Sequence, residues 1–111
     1  MFDIMNLMGK VKNVQAKVKE VQAALEHKTV EGEAAAGMVK ATANGHRKII
    51  KLEIDPTFVN PQDTQTLADL ICAAVNNANE KAEEMAKEAI QKETAGMMPN
   101  IPGLDLSKFG I

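Results

Sequence analysis

The last helix of this chain is too long for the domain that carries it. Leu67, Ile71, Ala74, Ala78, Ala82, Met85 and Ala89 follow an eleven-residue repeat, the spacing of a straight or slightly right-handed helix. Asn60-Pro61 predicts its start, with Asn as cap and Pro in the first turn, and Asp63 adds negative charge there. Gly96 predicts its stop, so the helix runs to about Thr94. At about 1.5 Å per residue it would span roughly 50 Å. A chain of 111 residues folds as a single domain narrower than that. The far half of the helix, mostly Ala, Glu and Lys, must therefore project or pack on another chain. A short chain buries a modest share of its surface alone, which also favours a partner.

A second helix is predicted from about Phe2 to His27. Ile4, Leu7, Val11, Val14, Val18, Val21 and Leu25 alternate steps of three and four, a heptad seam. The seam suits a coiled coil between copies or the core face of an amphipathic helix, and the second is the default.

Between the helices lies a β region. Thr29 to Ala34 alternates, a second run goes from Gly37 to Ala43, and a third from His46 to Ile54. Asn44-Gly45 predicts a two-residue hairpin turn. That turn pairs Val39 with Ile50, Lys40 with Ile49 and Thr42 with Arg47. Val39, Ile50, Leu52 and Ile54 then form the core or dimer face, and Lys40, Arg47 and Lys51 gather on the other. Asp55-Pro56 ends the sheet. The segment from about 97 to 111 has Pro and Gly and no period, and is expected to be a flexible tail.

Charge is divided along the chain. Residues 1–51 carry nine Lys/Arg against five Asp/Glu, and residues 52–111 carry four against ten. Despite a net charge of −2, this division fits a basic surface aimed at a polyanion, and by itself it fits ordinary solvated faces at least as well. Lys10 and Lys17 are seven apart, as are Lys12 and Lys19, so each pair lies along one line of the first helix, off the seam. With Lys40, Arg47 and Lys51 they are the candidate DNA contacts. Aromatic residues are only 3%, which argues against base stacking on single strands and favours the duplex backbone.

Features that would mark an enzyme do not emerge. His27 and His46 lie far apart, and Cys72 has no Cys or His at ligand spacing, so no metal site is expected. No phosphate-binding glycine loop or nucleophile elbow is visible, and no cofactor or small-molecule substrate is implied. Cys72, in the apolar run Leu70 to Val75, reads as a core residue of a chain in a reducing compartment. That run is far too short to cross a membrane, and no signal peptide is visible, so the cytoplasm is the expected location.

The order of pieces resembles the YbaB/EbfC family over nearly the whole chain. The carriers are the start Met1-Phe2-Asp3-Ile4-Met5-Asn6-Leu7-Met8 and the Lys- and Gln-rich first helix. Val30-Glu31-Gly32-Glu33, Gly37-Met38-Val39-Lys40, Asn44-Gly45 and Leu52-Glu53-Ile54-Asp55-Pro56 follow. Leu67-Ala68-Asp69-Leu70 and Ala73-Ala74-Val75-Asn76-Asn77-Ala78 complete the set. The resemblance implies an α+β fold, α-β-β-β-α, with a three-stranded antiparallel sheet. It also implies a tweezer-like homodimer with projecting helices, which binds duplex DNA and affects nucleoid organisation or gene expression. The alternative function is a dimeric helical adaptor that binds another protein, for which the acidic last helix speaks.

Overall fold

The computed structural model describes residues 4–95, so the predicted tail at 97–111 lies outside the described residues. The chain runs α1 (Ile4–Leu25), β1 (Thr29–Ala34), β2 (Val39–Asn44), β3 (Ile49–Ile54), a short 3-10 turn (Pro56–Phe58) and α2 (Thr64–Thr94). The strands form one antiparallel sheet in the order β1-β2-β3. This is the expected α-β-β-β-α order.

The sheet core depends on small residues. Val39, Ala41 and Ala43 of β2 meet Ala74, Ala78 and Ala82 of α2, all fully buried. Methyl groups on both sides let the helix lie close to the strands. The approach is closest at Gly32 of β1, where a Cβ would overlap the α2 backbone at Ala74 and Ala78. Val30, Ala34, Ile49, Ile54, Leu67, Leu70, Ile71 and Val75 pack around this centre. Asn77 Nδ2 and Lys81 Nζ fasten the helix to β1 by donating to the carbonyls of Glu33 and Glu31, both at 2.9 Å.

Beyond the sheet, α2 pairs with α1. Val14, Val18, Val21 and Leu25 of the heptad seam are buried against Ile90, with Met85, Ala86 and Ala89 beside them. The helices run antiparallel, since Leu25 lies by Ala86 and Ile90 while Lys17 reaches Glu93. The seam is thus the core face of an amphipathic helix over its last three turns.

Three expectations change. First, α2 begins at Thr64. Asp63 is its cap, accepting the Thr66 N–H at 3.2 Å, while Asn60 caps a separate turn by accepting the Gln62 N–H at 2.9 Å. Both residues have the side-chain acceptor a cap needs, and the one nearer the apolar run takes the helix. Second, Cys72 is exposed, because it lies on the face of α2 turned away from the sheet.

Third, the β2–β3 register differs by four residues. Val39 pairs with Ile54, Lys40 with Glu53, Ala41 with Leu52 and Thr42 with Lys51. Asn44 stays in β2 and organises a longer loop. Its Oδ1 accepts the N–H groups of His46 and Lys48, and its carbonyl accepts that of Arg47. Arg47 takes the left-handed position, φ 63°. An even shift keeps Leu52 and Ile54 on the face expected of them. A bulge between Thr42 and Ala43 then sets Ile49 against Ala43 and leaves Ile50 unpaired. Ile49 is packed on the core, whereas Ile50 is 52% exposed.

The same loop closes α1. The final carbonyls of a helix have no partners within it. Here Gly45 N–H donates to the Leu25 carbonyl at 2.9 Å, and His46 Nε2 donates to that of Gln22. A Cβ on Gly45 would collide with Leu25, so this joint needs glycine.

Candidate nucleic-acid interface

The two helices form an arm with unlike sides. The α1 segment carries four lysines against one glutamate, and α2 carries three lysines against six acids. The acidic side chains Glu80, Glu83, Glu84 and Glu88 are exposed on α2, and Lys87 pairs with Glu83 at 3.5 Å. An anion approaching the arm is drawn to α1 and repelled by α2.

The four α1 lysines divide. Lys10, Lys12 and Lys19 are exposed, and no ion pair is formed by them among the described residues. Lys17 lies between Glu93 at 3.5 Å and Glu20 at 3.6 Å, and is half-buried against α2. Its charge is spent on joining the helices.

The outer face of the sheet is not the basic surface that its lysines suggest. Glu33, Lys40 and Glu53 stand side by side across the three strands, and Glu31, Thr42 and Lys51 form the next row. Lys51 meets Glu53 at 2.7 Å. The hydrogen bond that Lys51 donates to Glu53 raises the Lys51 pKa, with added attraction from that carboxylate and from Glu31. Reciprocally, Lys51 holds Glu53 below the usual carboxylate range. Three acids against two lysines leave no positive field. The alternation of Thr29, Glu31 and Glu33 carried that signal, since it places both acids opposite the inward Val30, Gly32 and Ala34.

Arg47 sits away from Lys40 and Lys51, in the loop that closes α1. There it lines a recess of about 340 Å³ with His46, Gln22, Glu83 and Lys87, over a floor of Leu25, Ala86 and Ile90. Lys48 is exposed beside it. Lys87 reaches this place only through the α1–α2 pairing, so no spacing in the chain could have joined it to Arg47.

The expected core or dimer residues also separate. Val39 is fully buried and Ile54 half-buried, while Ile50 and Leu52 are exposed at 52% and 40%. α2 crosses β1 and β2 and leaves β3 largely uncovered, so the last strand presents apolar side chains at an unpaired sheet edge. Among the described residues, no group of His, Cys, Asp and Glu side chains could hold a metal ion, and no helix is long and apolar enough to cross a membrane.

An open three-stranded sheet backed by one long helix, with a second helix paired to its overhang, defines a small α+β protein with a polar two-helix arm. The chain belongs to the YbaB/EbfC DNA-binding family, whose model matches residues 1–97. A nucleoid-associated protein of Thermoanaerobacter pseudethanolicus is 45% identical over 103 residues, covering 93% of this chain and 91% of that protein. A nucleoid-associated protein of Geobacillus kaustophilus is 49% identical over 80 residues, 72% of each chain. The crystal structure of an uncharacterized Helicobacter pylori protein shares the fold, with a TM-score of 0.68 at 19% identity, covering 79% of this chain and 92% of that one.

Proposed function

We propose that the protein binds duplex DNA through the α1 side of its arm, as a homodimer joined along β3, with weak sequence preference. The observation that carries the reading is the set Lys10, Lys12 and Lys19, exposed and outside any ion pair among the described residues. Cations on a straight helix attract phosphates without reading bases, so affinity comes from counterion release and is indifferent to sequence. The relatives named as nucleoid-associated point the same way and favour the nucleoid as its location.

A dimer doubles the lysine set. The uncovered apolar edge at Ile50 and Leu52 supports β3 as the joint, because such an edge is a template for a second chain. Six lysines on phosphates would make log K fall against log salt with a slope of about −5.

Gel-shift titration of several unrelated duplexes at a series of salt concentrations tests this. Similar affinities on all duplexes and a steep salt dependence are expected, with a shallower slope for the double variant Lys12→Gln, Lys19→Gln. Failure of the wild-type protein to bind any duplex at low salt would overturn the proposal and favour a protein-binding adaptor.

A further inference from the structure

Beyond the lysines, α1 carries a second exposed feature on the same face. Met5, Met8, Lys12, Gln15 and Lys19 are spaced three, four, three and four apart, so they form one stripe along the helix. All five are exposed, and Met5 and Met8 strongly so, at 83% and 56%. The stripe is displaced about 100° from the buried seam of Val14, Val18, Val21 and Leu25, so the pairing with α2 does not use it.

Position along the arm matters as well. Lys17 of α1 is level with Glu93, one residue before the end of α2. The thirteen residues from Ile4 to Ala16 therefore extend roughly 20 Å past that contact. Apolar side chains occupy the outer end of the stripe and cations the part behind it.

We infer that Met5 and Met8 form an apolar wedge at the tip of α1 that enters between base pairs of duplex DNA. Lys12 and Lys19 hold the phosphate backbone behind it, and the duplex bends. The inference rests on the duplex-DNA reading above. Proteins that bend DNA place unbranched or bulky apolar side chains between base steps while nearby cations hold the strands. Methionine suits this, because its flexible thioether adapts to an irregular gap. Charge calls for a polyanion as the occupant, since whatever covers the methionines must also lie against Lys12 and Lys19, and the DNA-binding family of the chain makes duplex DNA the polyanion in question.

The test is bending of a short duplex, read as energy transfer between dyes at its two ends, with 2-aminopurine fluorescence reporting unstacking. Three proteins are compared: wild type, Met5→Ala with Met8→Ala, and Met5→Leu with Met8→Leu. Wild type is expected to raise energy transfer and 2-aminopurine emission on binding. The alanine pair should still bind with an unchanged salt slope and an affinity about tenfold lower, reflecting the lost apolar burial. Its complex should be straight, and the leucine pair should restore the bend.

Equal bending by wild type and the alanine pair overturns the wedge, as does a straight wild-type complex. Both leave DNA binding itself intact, whereas absence of any duplex binding by wild type removes the underlying reading. A lower sedimentation mass for the alanine pair would assign the methionines to contact between copies. Methionine-dependent binding to phosphatidylglycerol vesicles, with no bending of DNA, would assign them to a lipid surface. Either result overturns the inference.

Discussion

Gly32 and Ala78 stand so close that no side chain fits between them: a Cβ on Gly32 would overlap the Ala78 backbone nitrogen. The strand and the helix touch backbone to backbone, and the buried alanines on either side allow it. Gly32→Ala must move β1 or α2 bodily, because the obstacle is not a flexible side chain. A loss of about 3 kcal/mol in chemical denaturation is expected, the upper end for an overpacked core. Gly9→Ala should do the opposite. Nothing lies within 4 Å of a Cβ there, so the change should stabilise α1 by about 1 kcal/mol.

The β1–β2 turn holds Ala35 and Ala36 at φ of 54° and 55°, the left-handed region that side chains disfavour. Ala36→Gly should relieve that conflict and raise stability by about 1 kcal/mol, even though glycine usually weakens a fold through its unfolded-state freedom. An unchanged or lowered denaturation midpoint would contradict the strain.

Ile50 and Leu52 separate folding from assembly. Both are exposed in the single chain, so Ile50→Asp and Leu52→Asp should leave the circular dichroism spectrum intact. Sedimentation equilibrium should show the proposed dimer falling to the 12.0 kDa chain mass. Val39→Asp should instead unfold the chain, costing about 4 kcal/mol or more, because that position is fully buried in the protomer. Ile50→Asp that unfolds as Val39→Asp does would mean that folding and association are one event.

Stability should fall in acid through two caps. Thr66 donates to Asp63 from its hydroxyl and its N–H, and Thr57 donates to Asp55 from its N–H and its hydroxyl. These bonds hold both carboxyls below the usual aspartate range. A group with its pKa lowered by folding stabilises the fold above its unfolded value, at about pH 4, and loses that contribution as pH drops through the folded value. The melting temperatures of wild type and Asp63→Ala should therefore differ at neutral pH and converge in strong acid. Asp63→Asn should keep the cap and flatten the pH dependence.

The candidate site was partly legible. Lys10, Lys12 and Lys19 could be placed on exposed lines of α1 because a helix fixes the direction of every side chain from its spacing. Lys17 shares that pattern, yet its charge is met by Glu93 from a helix that begins far along the chain. Lys40 and Lys51 looked basic while β2 and β3 were considered alone. Pairing with β1 brought Glu31 and Glu33 onto the same face.

What the sequence by itself determined is periodic and local. The seam from Val14 to Leu25, the alanine stripe from Ala74 to Ala82, the β1 limits and the order of elements all follow from residues near one another, whose directions depend only on backbone geometry. Tertiary structure decided what depends on distant partners. Asn44 could open a two-residue turn or a longer one, and the longer loop is the one whose Gly45 and His46 close the end of α1. That choice moved the register by four residues, set Ile50 in a bulge and put Arg47 beside Lys87. A local pattern can state which turns are allowed. The last-turn carbonyls of a neighbouring helix, at Gln22 and Leu25, accept from this loop when the chain packs and so select among them.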